Sequence, residues 1–144
     1  MTRRDAARRA ATLILLITSA TALAHNSKMV ADGRFRMSVG LVEEPIHTDE
    51  RNGLDLAIRR ADQKETVPGL EAGLNAEIVA PDGTTKRPLP IRPRYQQPGR
   101  YTADILLTRP GIYNVRVWGT LEGTAFDQTF ELNEAKPLSE LRFP

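Results

Sequence analysis

The chain of 144 residues contains no cysteine. That excludes thiol catalysis, Cys-ligated zinc and disulfide stapling, and it leaves an oxidising compartment tolerable without cross-links. Histidine occurs only twice, and neither copy has a serine partner in a setting that would support nucleophilic catalysis. No Gly-rich phosphate loop occurs. The carboxylates Glu43 and Glu44 are adjacent, and in an extended chain neighbours point to opposite sides, so they do not form a general acid and base pair. These gaps together argue against an enzyme. Helical periodicity is missing as well: no stretch of useful length repeats at 3.6 residues.

The one apolar run lies near the start. Arg3, Arg4, Arg8 and Arg9 precede the stretch from Ala10 to Ile17, and a small-residue end closes on Ala22 and Ala24. This order of zones is that of a cleaved secretory signal over residues 1–24, and its apolar core is shorter than the roughly 20 residues of a membrane span. The expected product is a periplasmic or extracellular protein with no stable membrane insertion. The signal carries four arginines and one aspartate. Subtracting them from 20 cations and 18 anions leaves 16 against 17, so the pI near 9.2 belongs to the signal. A balance of about −1 removes the general driving force toward nucleic acid.

What is present after residue 24 is alternation of period two. Phe35, Met37, Val39 and Leu41 alternate with Arg34, Arg36 and Ser38; Leu54, Leu56 and Ile58 repeat the pattern. Further strands are expected at Asn75 to Val79, Tyr101 to Leu107, Tyr113 to Val117 and Phe126 to Leu132. Turns are expected at Pro81-Asp82-Gly83, Arg109-Pro110-Gly111 and Leu121-Glu122-Gly123. The Pro-broken segment after Gly83 suits a sheet edge. The spacing predicts one all-β domain, an antiparallel immunoglobulin-like β-sandwich of about seven strands over 34–132, with an N-terminal arm over 25–33 and a flexible tail over 133–144. Residues 59–74 read as a loop with one helical turn. Phe35, Val39, Leu56, Ile58, Ile78, Ile105, Tyr113, Val115, Val117 and Phe130 are the expected core.

"PGRYTADILLTRPG" (98–111) and "RPGIYNVRVWGTLEGTAFDQTF" (109–130) resemble the C-terminal half of exported YtkA-like and FixH-like immunoglobulin-like domains. The stretch 39–56 resembles a "VG-x-L-x-E-P … R-N-G-L-x-L" pattern of small exported bacterial proteins. The resemblance implies an envelope accessory domain, in some cases tied to copper or respiratory-complex handling. Pro110 to Tyr113 also looks like a tyrosine corner, in which the phenol bonds back to the backbone.

Two features bear on function. Glu43, Glu44, His47, Asp49 and Glu50 lie within eight residues, either as a solvated acidic loop or as metal ligands. Cleavage after Ala24 would make His25 the first residue, and its amine and imidazole would then form a chelate suited to copper(II). CopC-like copper carriers are similar in placing a mature N-terminal histidine on such a sandwich, although the Met-rich copper(I) segment has no counterpart here. Asp32-Gly33 is a two-residue hairpin signal, and counting back from it sets His25 opposite Gly40. The expected metal ligands are His25 and His47, with Asp49 or Glu50 as further donors. The alternative is a metal-free module docking on an envelope or respiratory complex through Lys86, Arg87, Arg92, Arg94, Arg100, Arg109 and Arg116, which face only Asp104 within 86–116.

Overall fold

A computed structural model describes residues 25–144, and the expected signal segment lies outside them. The alternation folds into ten antiparallel strands: β1 Asn26–Val30, β2 Phe35–Leu41, β3 Arg51–Arg60, β4 Leu74–Val79, β5 Lys86–Leu89, β6 Arg92–Pro93, β7 Arg100–Thr102, β8 Asp104–Leu106, β9 Asn114–Leu121 and β10 Thr124–Glu131. One sheet runs β1-β2-β3-β7-β6, with β8 also pairing β3; the other runs β10-β9-β4-β5. Their apolar faces enclose a single core in which Phe35, Leu54, Leu56, Ile58, Val115, Val117 and Phe130 are fully buried. All ten core residues expected from the alternation are buried. The all-β sandwich follows.

The strand count exceeds seven for three reasons, one being that the expected strand Tyr101 to Leu107 is interrupted at Ala103 into β7 and β8, both paired to β3. Pro88, Pro90 and Pro93 cannot donate to a ladder, so the return segment is broken into two short edge strands, β5 and β6. The arm expected over 25–33 contributes β1, paired to β2 with Asn26 opposite Val39 and Val30 opposite Phe35. Its turn has the predicted centre: Asp32 and Gly33 hold φ of 55° and 75°, and the Arg34 amide donates to the Ala31 carbonyl at 3.1 Å.

Residues 61–70 return toward β3 and are tied by Tyr101, whose hydroxyl donates to the Val67 carbonyl (2.6 Å) and accepts from the Leu70 amide (3.1 Å). The expected helical turn is a 3₁₀ turn at Glu71–Gly73. The tyrosine corner is present: the Tyr113 hydroxyl donates to the Arg109 carbonyl at 2.9 Å and accepts from the Arg109 amide at 3.2 Å.

The expected flexible tail is docked at its start. Ala135 is buried and bridges Gly111, and Lys136 exchanges backbone hydrogen bonds with Ile46 and Thr48 at 3.0 and 2.9 Å. Composition alone could not show this, because the pairing strand is the loop 43–50. Among the described residues no helix is long and apolar enough to cross a membrane.

Candidate functional site

The register of the first sheet builds the candidate site row by row on its outer face. Because β1, β2, β3 and β7 are antiparallel and in step, Ser27, Ser38, Ala57 and Arg100 form one cross-strand row. The next row holds Met29, Arg36 and Arg59, extended by the bridge from Arg59 to Thr66. The preceding row holds Gly40 opposite Asp55, with His25 in register beyond Gly40.

That preceding row is closely fitted. The His25 ring lies over Gly40: a Cβ there would stand 2.4 Å from His25 Cδ2, so only glycine leaves room. His25 Nε2 is 3.1 Å from Asp55 Oδ2. Asp55 is 5% exposed despite lying on the outer face, and Arg100 grips it bidentately at 2.9 and 3.2 Å while Arg94 Nη1 stands 3.4 Å away. A carboxylate gripped by two guanidinium groups acts as an acceptor, so the His25 nitrogen facing it carries the hydrogen. The lone pair of neutral His25 is therefore on Nδ1. Asp55 was missed by sequence reasoning, since its meeting with Gly40 and His25 depends on how β2 pairs β3 across residues 42–50. The hairpin count reached only as far as His25 and Gly40.

The other expected ligands are placed differently. Ile46, His47 and Thr48 are buried, so the centre of the acidic loop is structural rather than solvated. His47 bridges Lys136, and its Nδ1 stands 4.0 Å from Glu50 Oε2. Asp49 takes a positive φ of 61°, and its amide donates to the Leu107 carbonyl at 2.7 Å. Thus His47 and Glu50 approach each other, but among the described residues no group of three or more His, Asp or Glu is disposed to hold a metal ion. Glu44 is a loop carboxylate close enough to His25 to feel its charge. Burial pushes its pKa up, opposed by Asn133, by the Leu41 backbone and by the charge of His25, and its Oε1 has no hydrogen-bond partner.

The cationic run of 86–116 is largely neutralised in three dimensions. Lys86 meets Glu77, Arg92 meets Asp104, Arg94 and Arg100 meet Asp55, Arg109 meets Asp82, and Arg116 meets Asp127 and Glu77. Four of those five carboxylates lie outside the run, which is why counting charge within it exaggerates the excess. Comparison with protein-family models and with curated proteins gave no match to this chain.

Proposed function

We propose that the protein is an exported, non-catalytic accessory domain that binds copper(II) through His25 once cleavage after Ala24 frees its amine. One observation carries the reading. His25 is seated over Gly40 with Nε2 against the buried Asp55, so Nδ1 is the nitrogen left to chelate together with the amine of the same residue. Five-donor loops are common on protein surfaces; a glycine seat for one histidine ring, with a buried carboxylate on its far nitrogen, is not needed for solubility.

The donor set suits the ion. An amine and an imidazole are nitrogen donors of the kind copper(II) favours, and a carboxylate on the far ring nitrogen fixes tautomer and orientation. Glu44, with an unpartnered oxygen among the described residues and close enough to His25 to feel its charge, is the oxygen donor we expect in place of Asp49 or Glu50, and His47 is left out of the set. The chain's own part is to hold the ring and exclude alternative rotamers. Proton competition weakens such a site in acid, because both nitrogens must be deprotonated to bind.

The test uses the exported protein, with its first residue established by intact mass. Titration with copper(II) should give one tight equivalent. Inserting one alanine before His25 separates amine from ring and should abolish tight binding, and H47A should leave it unchanged. Undiminished affinity in the insertion variant, or loss in H47A alone, would overturn the reading.

A further inference from the structure

Beside the His25 seat, the outer face of the first sheet is hollowed into a groove of about 470 Å³. Its floor is made of small side chains in one cross-strand row, Ser27, Ser38 and Ala57. Arg36, Arg59 and Lys64 rise along one side, while Arg100 and His25 stand at the other. The hollow is therefore a product of strand register: small residues on three adjacent strands are brought into one row, flanked by long cations one row away.

Three properties separate this groove from an ordinary solvated strand face. Its cations are unmatched: among the described residues the side chains of Arg36, Arg59 and Lys64 have no hydrogen-bond or ion-pair partner, and Arg100 is spent on Asp55. Arg36 and Arg59 sit directly opposite each other across β2 and β3, an arrangement that repels unless an anion lies between or above them. Among the described residues no carboxylate lines it, and the Ser27 and Ser38 hydroxyls have no partner there and are available to donate. Around the groove the neighbouring arginines are all engaged by carboxylates, two to each. Arg34 and Arg60 are tied to Glu122, Arg51 and Arg92 to Asp104, and Arg94 to Asp55.

We infer that this groove is a binding site for a compact polyanion, a small molecule carrying two or more phosphate or carboxylate groups. Its volume falls within the range of small-molecule sites, roughly 300–1,000 Å³. Arg36, Arg59 and Lys64, left without a partner among the described residues, are gathered in this one groove, which suits a compact anion better than an extended acidic chain. Guanidinium groups supply paired donors for planar or tetrahedral oxyanions, and the floor hydroxyls add neutral donors beneath them. This inference goes beyond copper binding, because it rests on Arg36, Arg59, Lys64 and the serine floor and needs neither a free amine nor a metal.

The experiment is calorimetric titration of the metal-stripped protein with pyrophosphate and with citrate, using acetate as the single-charge control. Saturable one-to-one binding of pyrophosphate, citrate or both is expected, weakening as salt is raised. Binding by only one of the two identifies the ligand as a phosphate or as a polycarboxylate. R36Q/R59Q should weaken binding at least about tenfold, the loss expected when charge-assisted hydrogen bonds are removed. A57E, which fills and charges the floor, should weaken it as much. R92Q/R109Q removes two cations already matched elsewhere and should leave affinity unchanged. K64Q lies in a loop and gives a folded fallback, with a smaller loss in the same direction. Absence of saturable binding by both polyanions, equal binding of acetate, or an equal loss in R92Q/R109Q would overturn the proposal.

Discussion

At the residue scale the molecule commits unusual positions to one side chain. Gly40 stands in a strand otherwise built of side chains that pack, and it lies where any Cβ would collide with the His25 ring. Asp55 occupies an outward position of β3, yet it is as hidden as the core because Arg94, Arg100 and His25 close over it. Glu44 has the opposite problem: a partly buried carboxylate with one oxygen unpartnered. Burial raises its pKa in the folded chain, so the native state holds this proton more tightly than the unfolded state does. Ionising Glu44 therefore costs stability. The penalty begins as pH rises through the unfolded value and is complete above the folded one. In metal-free protein, E44Q should be slightly more stable than the parent at pH 7.5, solvent screening keeping the gain small. The difference should vanish near pH 4, and urea denaturation at the two pH values measures it.

At the scale of elements, hairpins and corners hold the short strands in place. The β9–β10 pair turns through Glu122 and Gly123, with φ of 48° and 81°, matching the two-residue turn that strand twist favours. Gly119 of β9 has φ of 140°, and a Cβ there would lie 1.9 Å from the Gly73 carbonyl oxygen, so this glycine lets the 3₁₀ turn at Glu71–Gly73 lie against the strand. Tyr113 fixes the approach to β9 by bonding in both directions with the Arg109 backbone. Y113F keeps the ring in the core and removes both bonds, leaving a part-buried amide and carbonyl short of a partner. Stability should fall by about 1–2 kcal/mol, read from the midpoint of a denaturant curve with unchanged slope. An unaltered midpoint would mean that water replaces the phenol at no cost. The motif was legible in the sequence because it is local: four residues separate the two partners.

At the scale of the whole molecule, charge joins the two sheets as well as apolar burial. Glu122, on the hairpin of the second sheet, receives Arg60 of β3 in a bidentate grip and Arg34 from the β1–β2 turn at 3.3 Å. Farther along the same seam between the two sheets, Lys28 of β1 donates to the Thr129 carbonyl of β10 at 2.6 Å, and Asn26 donates to that of Glu131. Hydrogen bonding and charge from Arg60, then the charge of Arg34, hold the Glu122 carboxyl below the usual glutamate range. A lowered folded pKa supplies stability that is present above the unfolded value and is lost as pH falls through the folded value. Asp104 and Asp127 are lowered in the same direction by Arg92 and Arg116. The protein should therefore lose stability in acid. E122Q should be less stable than the parent at neutral pH, and the gap should close as pH falls through the folded pKa of Glu122. A gap that persists in acid would show that Glu122 acts through packing rather than charge.

What the sequence by itself determined was whatever depends on spacing along the chain. Alternation of period two set the strands and the inward-facing residues, Asp32-Gly33 and Glu122-Gly123 set hairpin turns, and the count back from Asp32-Gly33 placed His25 opposite Gly40. What only the tertiary structure decided was how those pieces face one another. Asp55 meets His25 from 30 residues away, Glu122 meets Arg60 from 62, and the start of the tail pairs with the loop at His47. The same pairing joins Ser27, Ser38 and Ala57 into one floor and brings Arg36 against Arg59. Local patterning fixes which face of a strand is wet. Which strands lie side by side is fixed by burying one shared core, a property of all of the chain at once, and wet-face neighbours follow from that choice.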